Sequence, residues 1–159
     1  MNLQRQWNTY VKGRMIRLIN WWPPMLFAGI RVTRFSDDYR EIDVCLKMHS
    51  WNRNYVGVHF GGSLYAMTDP FYMLMLMENL GRDYIVWDKA ATVRFKRPGK
   101  GTVKATFAIT ESDLDKIRRE TASGQKYEPV FTVQVIDAYG TVVTEVVKTL
   151  YIKRKDKGS

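Results

Sequence analysis

The segment NRNYVGVHFGGSLYAMTDPFYMLMLMENL, Asn52 to Leu80, decides how the rest of the chain is read. It opens polar and glycine-containing and then turns apolar. Between Gly62 and Gly81 the only formal charges are Asp69 and Glu78. A helix that is apolar on every side belongs inside a protein. A membrane span is the competing reading, but an acid and a proline interrupt the run and amphipathic segments flank it. A buried helix over about 62–80 is therefore expected. Gly61 and Gly62 at its entrance permit close backbone approach and leave amide N–H groups free. Pro70 should kink the helix or mark a boundary there. Asp69 is a carboxylate on a buried helix, where charge is costly unless it is used or paired.

Outward from this stretch, short strands dominate. Ile42, Val44, Leu46 and Met48 alternate with Glu41, Asp43, Cys45 and Lys47, a half-buried strand pattern. With 26–35 it makes a hairpin around Ser36, Asp37 and Asp38. Four more strands are expected near 86–97, 102–111, 128–138 and 141–153, with a polar helix over 112–122 capped by Ser112. The first 22 residues read as an amphipathic helix through Trp7, Val11, Met15, Leu18 and Trp22, ended by Pro23 and Pro24. Packing of that helix on its own domain or on a partner subunit is expected rather than a place on a membrane surface. Residues 154–159 read as a flexible basic tail. One buried helix and at least six amphipathic strands give an α+β layering, with a curved antiparallel sheet wrapped around the helix.

At 159 residues the chain suits a single domain, 1–159. Cys45 is the only cysteine, which excludes an intrachain disulfide framework and a cysteine-based metal site. No metal and no cofactor is implied. The first 22 residues hold no continuous apolar core of a secretory signal, so a cytoplasmic protein is expected. The formal charge of +9 suits an anionic partner or simple solubility. No zinc finger or ribonucleoprotein-type strand points to nucleic acid.

The element order and the helix entrance resemble the hotdog fold, and within it the acyl-CoA thioesterase branch that includes phenylacetyl-CoA thioesterase-like proteins. In that branch an Asn lies seven residues before the first Gly of a His-Gly-Gly motif, and the catalytic acid lies eight after it; Asn54, Gly61 and Asp69 have this spacing. Gly57 and the turn Arg97, Pro98, Gly99 also fit. The wording from Phe60 to Ala66 followed by Asp69 and Pro70 is closer still to an uncharacterised thioesterase-like subfamily. Phe60 stands where the family has its histidine, with His59 displaced by one. Asp88 stands where the thioesterases often have Ser or Thr.

The resemblance implies hydrolysis of an acyl-CoA or related acyl thioester by a homodimer or homotetramer (a dimer of dimers), with sites between subunits. Asp69 is then general base or nucleophile, and the Gly61 and Gly62 amides polarise the thioester carbonyl. Asn54 orients the loop or the water. The bland reading of Asp69 is an acid capping backbone groups freed by Pro70. His59, Phe60, Tyr65, Met73, Asp88, Lys89 and Arg97 are candidates to contact substrate, and Lys96, Lys100 and Lys104 could join Arg97 on phosphates. A surface role for Asp88 and Lys89, and loop hydrogen bonding by His49 and His59, are the competing readings. Phe60 and Asp88 also motivate a second function, a non-catalytic acyl- or lipid-binding protein.

Overall fold

The computed structural model describes residues 18–155. The expected helix over 2–22 lies outside the described residues as far as residue 17, and 156–159 of the tail lie outside them too. Elements follow in the order α1 (Pro23–Ala28), β1 (Ile30–Phe35), β2 (Glu41–Lys47), α2 (Gly61–Ala66), α3 (Phe71–Leu80), β3 (Tyr84–Phe95), β4 (Thr102–Ala108), α4 (Glu111–Glu120), β5 (Lys126–Tyr127), β6 (Val130–Ile136) and β7 (Val142–Arg154). The strands form one antiparallel sheet in the order β1-β2-β4-β6-β7-β3, with β5 also on β7. It is the hotdog arrangement, a curved sheet around a long helical stretch.

The alternation sets the core. Ile42, Val44 and Leu46 of β2, Val103, Ala105 and Phe107 of β4, and Val146, Leu150 and Ile152 of β7 turn inward and are buried. Against them α3 buries Phe71, Tyr72, Met75 and Leu76. Phe71 and Tyr72 meet Phe107 at ring distances of 5.0 and 5.2 Å. Truncating Phe107 to alanine would cost about 3–5 kcal/mol, the usual scale for a buried aromatic.

The long helical stretch is two helices, with Met67 to Pro70 between them. Proline supplies no N–H, and the break falls where Pro70 was expected to place it. Two local expectations need correction. Residues 26–28 are helical rather than extended, because Pro23 and Pro24 start α1 instead of only ending what precedes it; the first helical positions have no use for an N–H. Gly29 closes α1 at φ 81°, and a Cβ there would lie 2.6 Å from Asn52 Nδ2. The cap of α4 is Thr110, not Ser112: its side chain accepts from the Asp113 amide while Asp113 accepts from the Thr110 amide.

One irregularity positions the site. In β3, Asp88 pairs with Leu150 but Ala90 already pairs with Thr149, so Lys89 is an extra residue, a bulge. Val86 and Asp88 stand opposite Ile152 and Leu150, whereas Ala91 and Val93 stand opposite Lys148 and Val146. The residues that share the face of the buried β7 stripe are even-numbered before the bulge and odd-numbered after it. Among the described residues no helix is long and apolar enough to cross a membrane.

Candidate active site

The sequence candidates fall into two groups. The first gathers around Lys148, which the sequence reading missed. Lys148 sits on the inward stripe of β7, between Val146 and Leu150, and its side chain is 0% exposed. Its ammonium donates to Asp69 Oδ1 at 3.0 Å and to the Asp69 backbone carbonyl at 2.5 Å. It also pairs with Asp88 Oδ2 at 3.0 Å and lies 5.7 Å from the centre of the Tyr65 ring. Thus α2, the 67–70 break, β3 and β7 each bring one polar side chain to the same point. The Asp69 side chain remains 47% exposed and that of Asp88 23%.

The electrostatics follow from this crowding. Burial pushes the Asp88 carboxyl up from its ordinary range, Lys148 pulls it back, and the neighbouring Asp69 charge pushes it up again. Asp88 Oδ1 is buried and makes no hydrogen bond. Burial, a hydrogen bond to Asp69 and the charges of Asp69 and Asp88 push the Tyr65 hydroxyl up to about 12. Tyr65 is therefore a neutral donor toward Asp69 across the physiological range.

The second group lines a cavity of about 400 Å³ at the entrance of α2: Asn54, His59, Gly61, Phe95, Lys96 and Arg97 among others. Asn54 is committed to its own loop, accepting from the Val56 and Val58 amides at 3.1 and 3.0 Å. His59 is 2% exposed. Its Nε2 meets the Gly101 carbonyl at 2.9 Å. A carbonyl only accepts, so Nε2 carries the proton and Nδ1, which has no partner, is left as an acceptor. Burial holds this ring below the usual histidine value, against the opposing pull of the Gly101 bond. Gly61 and Gly62 are the first two residues of α2, whose amides lack intrahelical acceptors. A Cβ on Gly61 would meet Phe95 Cζ at 3.0 Å, and one on Gly62 would meet Phe60 Cε1 at 2.4 Å.

Three candidates stand apart. Phe60 is exposed at the N-cap of α2. Lys89, at the bulge, pairs with Glu128 at 2.6 Å rather than with Asp88. Met73 lines neither group but an apolar groove of about 650 Å³ along the outer side of α3. Pro70, Leu74 and Glu78 form that side, and Ile19 and Trp22 face them. Among the described residues no cluster of His, Cys, Asp and Glu side chains could hold a metal ion.

With this geometry in place, the chain can be set beside known proteins. A family described as "Domain of unknown function (DUF4442)" matches residues 14–152. The chain belongs to this family. No curated protein matches it significantly. Solved structures do resemble this DUF4442 chain throughout. A Pseudomonas aeruginosa protein of unknown function, described as a probable thioesterase, is 18% identical and superposes with a TM-score of 0.71, covering 97% of this chain and 98% of its own. A Chlorobaculum tepidum protein of unknown function is 13% identical with a TM-score of 0.73, over 91% and 95% of the two chains. A thioesterase from Haemophilus influenzae is 14% identical with a TM-score of 0.63, over 86% of each. The DUF4442 chain thus shares the fold of these proteins, the hotdog fold that its element order implied.

Sequence reasoning found Asp69, Tyr65 and Asp88 but not the residue that joins them. The signal for Lys148 was present: Val146, Leu150 and Ile152 recur with period two and place position 148 on their own buried face. A lysine on such a stripe is a flag for function, because its charge must be met inside the protein.

Proposed function

We propose that this chain is a thioesterase that hydrolyses an acyl-CoA or a related acyl thioester, with Asp69 as the general base. The observation that carries the reading is the placement of Asp69. Its half-exposed carboxylate lies immediately before Pro70, where the apolar groove along α3 begins. An acyl group lying in that groove would bring its thioester carbonyl toward Asp69. Asp69 takes a proton from water, whose oxygen attacks the carbonyl carbon. The carbon–sulfur bond then breaks and the thiolate leaves, taking up a proton.

The Gly61 and Gly62 amides are the donors for the carbonyl oxygen, but not those of the same chain. Gly61 opens α2 and lines the second cavity, whereas Asp69 lies beyond the end of α2 and is held in the separate cluster around Lys148. Both cannot act on one carbonyl from one copy, so a second copy completes the site. The twelve-residue strand β3 is an edge of the sheet and offers its backbone to such a partner. A homodimer, or a dimer of dimers built from it, follows. Arg97, which lines the second cavity, is our candidate to meet phosphate oxygens; Lys96 beside it is paired with Glu145 at 2.9 Å.

The test is thiol release from acetyl-, hexanoyl- and palmitoyl-CoA, with binding of each followed in parallel. Turnover of at least one ester supports the reading. Binding without turnover replaces it with the non-catalytic acyl-binding function. Neither binding nor turnover removes both.

A further inference from the structure

A lysine on the core stripe of a central strand needs a reason. Lys148 is opposite Ala91 of β3 on one side and Phe131 of β6 on the other. Its neighbours on the stripe are Val146 and Leu150. Removing an ammonium from water costs several kcal/mol, and its attraction to buried carboxylates seldom returns more than that. An apolar side chain would serve the fold at least as well. What the lysine adds is a charge delivered to one place, the underside of Asp69.

All three ammonium donors are accounted for: Asp69 Oδ1, the Asp69 carbonyl and Asp88 Oδ2. Two of the three go to residue 69, to its side chain and its backbone. The carboxylate is therefore held from inside, while nearly half of the side chain stays open to solvent. Lys148 itself has no exposed surface with which to touch a substrate. The titratable and charged groups facing this point come from four places: Tyr65 on α2, Asp69 in the break before α3, Asp88 on β3 and Lys148 on β7.

We propose that Lys148 is the positioning residue of the hydrolytic site, fixing the Asp69 carboxylate from the core side, and that Asp88 competes for the same ammonium. The proposal rests on the reading of Asp69 as the base. It explains why a second acid is kept beside the first. With Asp88 charged, Lys148 is shared between two carboxylates. With Asp88 neutral, its charge serves Asp69 alone. Removing Lys148 frees the Asp69 carboxylate to turn, and removing the Asp88 charge leaves the ammonium to hold it alone. The two perturbations act with opposite sign.

The experiment uses the full chain as Lys148→Met, Lys148→Arg and Asp69→Asn. The χ1 rotamer of Asp69 is read from its three-bond NMR couplings, which requires no activity. A single rotamer is expected in the parent and averaging over rotamers in Lys148→Met. Lys148→Arg should stay near the parent. Carbon NMR titration of Asp88 reads the competition: its midpoint should rise in Lys148→Met, which removes the partner that pulls it down, and fall in Asp69→Asn, which removes the neighbouring charge that pushes it up. Where the wild type hydrolyses an acyl-CoA, kcat should be lowered in Lys148→Met with KM little changed. Should Lys148→Met fail to fold, the Asp88 midpoint in Asp69→Asn decides. An Asp69 rotamer that stays fixed in Lys148→Met, or an Asp88 midpoint that does not fall in Asp69→Asn, overturns the proposal. If both behave as expected but kcat does not follow, Lys148 keeps its role and the assignment of Asp69 as base is what fails.

Discussion

Replacing Asp69 by asparagine removes the charge and keeps the shape. The structure gives the size of both consequences. On the stability side, Lys148 keeps the Asp88 carboxylate at 3.0 Å and the residue-69 carbonyl at 2.5 Å, and the asparagine oxygen can still accept its third donor. The charge lost belongs to a side chain that is 47% exposed, so its attraction is screened by water. The repulsion that Asp69 exerts on Asp88 is relieved at the same time. These effects should leave the net change within about 1 kcal/mol, or a Tm shift of about 2–4 °C for a chain of this length. On the rate side, loss of the general base should lower kcat by about a hundredfold or more, which is about 2.7 kcal/mol of barrier. The two numbers are measured on one preparation, Tm by calorimetry and turnover by thiol release. A variant that unfolds shows that Asp69 is structural, and one that hydrolyses like the parent shows that another group is the base. Either result removes the site as drawn.

Three further outcomes are expected. Gly61→Ala should lower kcat/KM by about tenfold or more by displacing the carbonyl, with little change in Tm, because the Phe95 ring it would press is exposed and can swing aside; thiol release at parental rate would dissociate Gly61 from catalysis. Met73→Trp should narrow the groove along α3 and reduce the kcat/KM ratio of palmitoyl- to hexanoyl-CoA, and an unchanged ratio would place the acyl chain elsewhere. Burial of His59 holds its folded-state pKa below the ordinary 6.5, so the unfolded chain binds the proton more readily and stability is lost as pH falls below about 6.5. His59→Gln should flatten that part of a Tm-against-pH curve, and identical slopes would refute the burial argument.

The parts of this fold that were legible in the sequence are those where one local rule acts alone. The alternation in β2 has no irregularity, and its buried set Ile42, Val44 and Leu46 is the one periodicity predicts. Pro70 divides the helical stretch because a missing N–H acts locally. Where two placements satisfied the same rule, the sequence could not choose. Thr110 with Asp113 and Ser112 with Asp115 both fit a capping box, and the need to bury Leu114 and Ile117 selects the first. The site was half legible for a related reason. Counting from Ala91, Val93 and Phe95, simple alternation sends Asp88 to the opposite face. The bulge at Lys89 returns it to the face of Lys148. Lys148 itself was readable from the parity of β7, but its partners come from three other segments of the chain, and no spacing rule reports that convergence.

The bulge also separates chain position from spatial position in this protein. Deleting Lys89 would remove the one extra residue and leave the ladder as it is, with Asp88 opposite Leu150 and Ala90 opposite Thr149. Residues 84–88 would keep their faces, the exposed indole of Trp87 would stay outside, and Lys148 would keep both carboxylates. The strand would lose only the pair between Lys89 and Glu128. A related chain without the bulge can therefore hold the same site, yet an ungapped comparison would shift its counterpart of Asp88 by one position and score the acid as absent. Insertions and deletions in β3 have to be placed before residues at this site are compared.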